Sequence, residues 1–173
     1  MSEKGEAQIV QLAERLRADA FLNGQGIELV AHSPLRRARQ TCLGALGCVS
    51  ANASTDERKV SQVRRVVELD ALREKTPAEW LPGGQTGLDR RIDEFESWLA
   101  SQPEVGGIAI VGHSQFFKRM LRLAYKFENC DVWECEFSLA ADGGTSDAPL
   151  RWRKLVRLYG DQCTANRPVT VPH

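Results

Sequence analysis

Ile108-Ala109-Ile110-Val111-Gly112-His113-Ser114 is the stretch on which the reading of this chain turns. Its apolar run is too short for a helix, and it stops at a glycine followed by an imidazole and a hydroxyl. An unbroken apolar run of this length suits a strand covered on both faces, as in parallel sheets, and Gln115 to Phe127 after it has helical spacing. The unit is strand, turn, helix. In open α/β sheets ligands collect at the carboxyl ends of strands, where the next helix turns unpaired N–H groups and a positive dipole end toward an anion. His113 and Ser114 therefore stand where a phosphate is welcome.

The same construction occurs earlier, since Ile27-Glu28-Leu29-Val30-Ala31-His32-Ser33 is followed by Pro34-Leu35-Arg36-Arg37-Ala38-Arg39-Gln40-Thr41. Ser33 has the chemistry of an N-cap and Pro34 that of a first helical residue, because proline has no N–H to lose there. Arg37 then falls in the first helical turn or just beyond it, close to the strand's carboxyl end. If both strands belong to one parallel sheet, Arg37 and His113 meet at the same sheet edge.

With 173 residues, 42% apolar and 27% charged, the chain is long enough for one domain with a substantial core. Zero formal net charge and the lack of a long cationic run speak against nucleic-acid or membrane-surface partners. The five cysteines are odd in number and lack C-x-x-C spacing, so neither a zinc site nor a disulfide framework is expected. Reduced thiols fit a cytoplasmic location. No signal-peptide pattern opens the sequence, and no stretch approaches the roughly 18 apolar residues of a membrane span.

Around the two units, Ser2 is placed to cap a first helix with an apolar stripe of Ala7, Ile9, Val10, Leu12, Ala13, Leu16 and Ala20. Asn23 to Gly26 ends it. Gly47 to Glu57 reads as a surface loop and Val63 to Leu69 as a second strand, leading into Leu72-Arg73-Glu74-Lys75. Thr76-Pro77-Ala78-Glu79 has a capping-box pattern, and Thr86 is placed to cap a longer helix whose face is Leu88, Ile92, Phe95, Trp98 and Leu99. Val132 to Leu139 alternates, with Trp133, Cys135, Phe137 and Leu139 inward, and Trp152 to Tyr159 forms a last strand. Ala140 to Pro149 joins the two strands, and Asp161 to His173 is expected to be a mobile tail.

The order strand, Ser33-Pro34-Leu35-Arg36-Arg37-Ala38-Arg39-Gln40-Thr41, then Leu72-Arg73-Glu74, then Val111-Gly112-His113-Ser114 resembles the histidine phosphatase superfamily, the phosphoglycerate mutase-like fold. The resemblance runs over roughly Ser2 to Phe137. It implies a single three-layer α/β/α sandwich with a mostly parallel sheet, and a phosphomonoester hydrolase or phosphomutase in which one histidine is transiently phosphorylated. A second histidine and arginines hold the phosphoryl group, and a carboxylate protonates the leaving alcohol. Carried over by residue, Arg37 matches the phosphate-binding arginine, His113 the second histidine and Glu74 the acid, with Ser114 beside His113 at the phosphate. Glu79 is a nearby rival for the acid. The implied partner is a phosphorylated small molecule or phosphoprotein, and no cofactor or metal is implied.

One departure from the family pattern bears on activity. The family's first strand ends in Arg-His-Gly, which supplies the phosphorylated histidine, whereas His32, His113 and His173 are the histidines here and none stands between an arginine and a glycine. The expectation is a domain lacking its first strand, inactive as written, with a non-catalytic phosphate binder as the alternative. His32 as a replacement nucleophile is a minor reading. Gly112-His113-Ser114-Gln115-Phe116 is also similar to the G-x-S-x-G elbow of α/β-hydrolases, which would make Ser114 a nucleophile. Phe116 argues against that, because the elbow needs a glycine there for close packing of helix on strand. Ser114 is then expected to serve as an N-cap.

Overall fold

A computed structural model describes residues 2–47, 63–82, 84–138 and 152–160. The chain opens in helix α1 (Glu3–Ala18), whose Ser2 hydroxyl accepts from the Gly5 N–H at 3.3 Å, so the cap stands as read. Helix α2 (Phe21–Gly24) is one turn. Strand β1 (Ile27–His32), helix α3 (Arg36–Leu46) and strand β2 (Arg65–Glu68) follow. Two 3-10 turns, Asp70–Leu72 and Pro77–Trp80, lead to helix α4 (Gln85–Ala100). Strand β3 (Gly107–Val111) and helix α5 (Ser114–Met120) form the second unit, and strands β4 (Val132–Phe137) and β5 (Trp152–Tyr159) close the described chain.

β2, β1 and β3 form one parallel sheet in that order, with Val30 opposite both Val66 and Ala109. β4 and β5 form a separate antiparallel pair. Strand alternation sends the two faces of the sheet to different helices. Ala31, Ile108 and Ile110 pack with Leu88, Ile92 and Phe95 of α4 and Phe116 of α5. Val30, Ala109 and Val111 pack with Cys42 of α3. Residues Ile9, Leu12 and Leu16 of α1 pack on Ala45 of α3. The result is three layers, α/β/α. The hairpin joins through Cys135, Phe137 and Trp152, which pack against the α4 side, and the Trp152 indole donates to Glu96 at 2.8 Å.

β3 is covered on both faces as read, by α4 and α5 over Ile108 and Ile110 and by α3 over Ala109 and Val111, although all five of its residues are only half-buried. Among the described residues it is paired on the β1 side alone. Several local expectations are corrected. The helix expected from Gln115 to Phe127 ends at Met120, because Arg122 takes a left-handed φ of 52° and the Leu123 N–H turns back to the Lys118 carbonyl at 3.0 Å. Such a turn ends a helix. Thr86 lies inside α4, whose N-cap is Gly84. Of the expected first stripe, Ala7 and Val10 are exposed on α1 and Ala20 is exposed beyond its end, and the buried stripe takes in Gly5 and Gln8 instead. The Thr76 box closes only a 3-10 turn. In β4, Trp133, Cys135 and Phe137 point inward as read, whereas Leu139, the loop after Gly47, the 140–149 loop and the 161–173 tail lie outside the described residues.

Candidate active site

Both His-Ser units end at the same edge of the sheet, since His32 of β1 pairs in register with Val111 of β3 and with Glu68 of β2. Gly112 makes the second turn tight, because a Cβ there would come within 2.8 Å of the Phe117 ring. α5 can therefore fold back directly onto the end of β3, which holds His113 over the strand end.

His113 is buried at 6% exposure, and both ring nitrogens face polar groups. Nε2 lies 2.9 Å from the Ser33 hydroxyl, and Nδ1 lies 3.5 Å from Glu74 Oε2. The same Glu74 oxygen is 3.6 Å from the Arg37 guanidinium. One carboxylate thus stands between the arginine of the first unit and the histidine of the second. The Arg37 side chain is 69% exposed, so this ion pair is screened by water and an incoming anion can take the guanidinium over at little cost. Glu74 Oε1 is buried without a protein hydrogen-bond partner, the state of an acceptor that water or a ligand satisfies.

Burial pushes the His113 pKa below its ordinary value, the Glu74 charge works against that shift, and Arg37 and Arg91 add to it. Burial thus disfavours the charged form of the ring, and the neighbouring carboxylate offsets part of that cost.

Ser33 does not cap α3 as expected. α3 starts at Arg36 with Leu35 as its N-cap. The wholly buried Ser33 hydroxyl instead accepts from the Leu35 N–H at 3.3 Å and meets His113. Pro34 consequently sits in a turn ahead of the helix, and Arg37 keeps its place in the first turn. Ser114 is likewise not an N-cap: it is the first helical residue, its neighbour His113 holds the cap position, and the Ser114 hydroxyl is buried without a protein partner. Removing an unpaired buried hydroxyl relieves a desolvation cost. Ser114→Ala should leave the melting temperature unchanged or raise it, and a loss of about 1 kcal/mol in a thermal melt would restore the capping role.

The two rivals for the acid part company here. Glu79 is buried and tied to Arg91 at 2.8 Å, and its Oε2 also accepts from the Thr76 N–H at 2.7 Å. Glu74, not Glu79, faces Arg37 and His113. His32 donates from Nδ1 to the Ser33 carbonyl at 2.9 Å and, by alternation, points to the face of β1 opposite Ser33. Two participants were not singled out for the site from the sequence. Ser33 reads there as a helix cap, and Arg91 carries no motif that marks it.

A family model for the histidine phosphatase superfamily (branch 1) matches residues 1–142, and the chain belongs to that superfamily. Solved structures share the fold. A putative α-ribazole-5'-P phosphatase from Escherichia coli K-12 is 14% identical, with a TM-score of 0.54 over 80% of this chain and 78% of its own. A mycobacterial glucosyl-3-phosphoglycerate phosphatase is 20% identical, with a TM-score of 0.54 over 90% of this chain and 86% of its own. A mycobacterial hydrolase is 20% identical at a TM-score of 0.55, over 95% of this chain and 82% of its own. No curated protein sequence matches the chain. The α/β-hydrolase reading is left without support, since Phe116 is fully buried where the elbow requires glycine. No helix among the described residues is long and apolar enough to cross a membrane.

Proposed function

We propose that residues 1–173 form one phosphatase-type domain that binds the phosphoryl group of a phosphomonoester between Arg37 and His113, with Glu74 placed to give a proton to the leaving alcohol. The observation that carries this reading is the single Glu74 oxygen lying 3.6 Å from Arg37 and 3.5 Å from His113 at the carboxyl edge of a parallel sheet. Arg37 supplies a permanent charge and a flat donor fork suited to phosphate oxygens. His113 supplies a donor that becomes cationic when an anion raises its proton affinity. Ser114, with a hydroxyl unpaired within the protein, adds a donor beside it. A phosphorylated small molecule or phosphoprotein in the cytoplasm is the proposed partner, and two of the solved structures named above are described as phosphatases of small phosphorylated compounds.

Turnover in this reaction needs a histidine nucleophile, and neither described histidine fits the part. His113 engages Ser33 and Glu74 with its two nitrogens, which favours binding over attack. The proposal for these 173 residues is therefore phosphate binding without hydrolysis of p-nitrophenyl phosphate.

Calorimetric titration with sulfate tests the site, since the charge of sulfate is constant over the range in which histidine titrates. Arg37→Ala and His113→Ala should each weaken binding by about 10- to 100-fold, the worth of a lost charge-assisted hydrogen bond. Affinity should rise as pH falls through the lowered His113 pKa, because the anion favours the protonated ring, and His113→Ala should flatten that dependence. Unchanged affinity in both variants would remove the site.

A further inference from the structure

We infer that Arg91 of α4 is a positioning residue that sets where the Glu74 carboxylate stands relative to His113; this rests on the reading of Glu74 as the proton donor. Its guanidinium is 14% exposed and faces two ways. Nη1 donates to the Ala71 carbonyl at 2.9 Å and to the Arg73 carbonyl at 2.7 Å, and Nη2 reaches the Glu74 carbonyl at 3.5 Å. Nε and Nη2 grip the Glu79 carboxylate at 2.8 to 3.1 Å. The plane also lies 5.9 Å from the centroid of the Phe116 ring, three residues beyond His113.

One cation therefore holds the segment from Ala71 to Glu79 at both ends of Glu74, and packs against the helix that His113 caps. The segment between the two grips has little regular structure of its own. Residues Arg73 to Thr76 belong to neither helix nor strand, so their path has to be imposed from outside. Backbone carbonyls of an irregular segment need donors, and a five-donor fork is the side chain able to serve three of them together with a carboxylate. Lysine is no substitute, because a point ammonium cannot span those acceptors.

The readout that separates positioning from mere support is the titration of His113 followed by NMR in the full chain. The groups facing that ring are Glu74 from the β2–α4 segment, Arg37 from α3, Arg91 from α4 and Ser33 after β1. Glu74→Gln should lower the His113 pKa, since the Glu74 charge raises it. Arg91→Lys keeps the positive charge and removes the grip, and should shift the His113 value toward that of Glu74→Gln. It should produce no shift when Glu74 is already glutamine. An Arg91→Lys chain with the wild-type His113 titration, or with the same shift in both backgrounds, would overturn the inference whatever its thermal stability.

If Arg91→Lys does not fold, Arg91→Gln takes the same cycle. Loss of the charge alone raises the His113 value equally in both backgrounds, and only lost placement of Glu74 makes the rise smaller when Glu74 is present. Equal rises would overturn the inference. Sulfate titration of the wild-type chain stands apart from this cycle. Absent binding with intact coupling removes the phosphate reading and keeps the role of Arg91, and the converse removes Arg91 alone.

Discussion

Glu79→Ala should cost the fold about 3 to 5 kcal/mol, read as a lower midpoint in urea unfolding, because it leaves the Arg91 guanidinium buried without its counter-charge. Glu79 and Arg91 are exposed by only 9% and 14% at their side chains. Burial by itself pushes the Glu79 carboxyl up, but hydrogen bonds from Arg91 and Thr76 and the Arg91 charge together hold it below the usual range. The sign of the linkage follows. A carboxyl with a lowered folded pKa adds stability above its unfolded value of about 4.3, and that increment is lost as pH falls through the folded value. Glu79→Ala should therefore remove part of the acid-induced loss of stability as well as lowering stability at neutral pH. An unfolding midpoint equal to wild type would show that Glu79 is not a structural anchor and would return it to contention as the acid.

Phe116→Ala is the second large effect, about 3 to 5 kcal/mol for an aromatic deleted from a closed core. The ring is fully buried, meets Phe95 edge-on at 5.9 Å between centroids and carries the Arg91 plane on its other contacts. α5 is only seven residues long, too short to hold itself by backbone bonding alone, so its seat on α4 depends on this ring and on Met120. Sulfate affinity per folded molecule should also fall, because His113 is delivered by the turn that Phe116 anchors. A stable Phe116→Ala chain that reacts covalently with a fluorophosphonate at Ser114 would reverse two conclusions together, the anchoring and the rejection of a serine nucleophile.

Much of the organisation could be read from local sequence. Two apolar runs ending in His-Ser, each followed by a helical stripe, specify strand-turn-helix units because strand, turn and cap chemistry act over a few residues. The parallel pairing of those units, the order of the elements and the meeting of Arg37 with His113 at one edge follow from them and from the family pattern. The Leu88, Ile92, Phe95 and Leu99 stripe likewise predicts the buried face of α4, since helical periodicity leaves little choice.

Tertiary structure decided what depends on contacts across long separations. Ser33 and Ser114 both sit before helical stripes and read alike as caps. The fold gives Ser33 to a histidine 80 positions away and leaves the Ser114 hydroxyl buried without a protein partner. Glu74 and Glu79 lie five residues apart, and the sequence leaves them as rivals for the acid. Only the placement of Arg91, which claims Glu79 with its fork and the Glu74 carbonyl with one nitrogen, leaves the Glu74 side chain to face His113. Amino-acid type sets what a side chain is able to do, and local spacing sets which way the backbone carries it. Which partner it meets is fixed when distant elements pack, and whether Glu74 or Glu79 faces His113 is of that last kind.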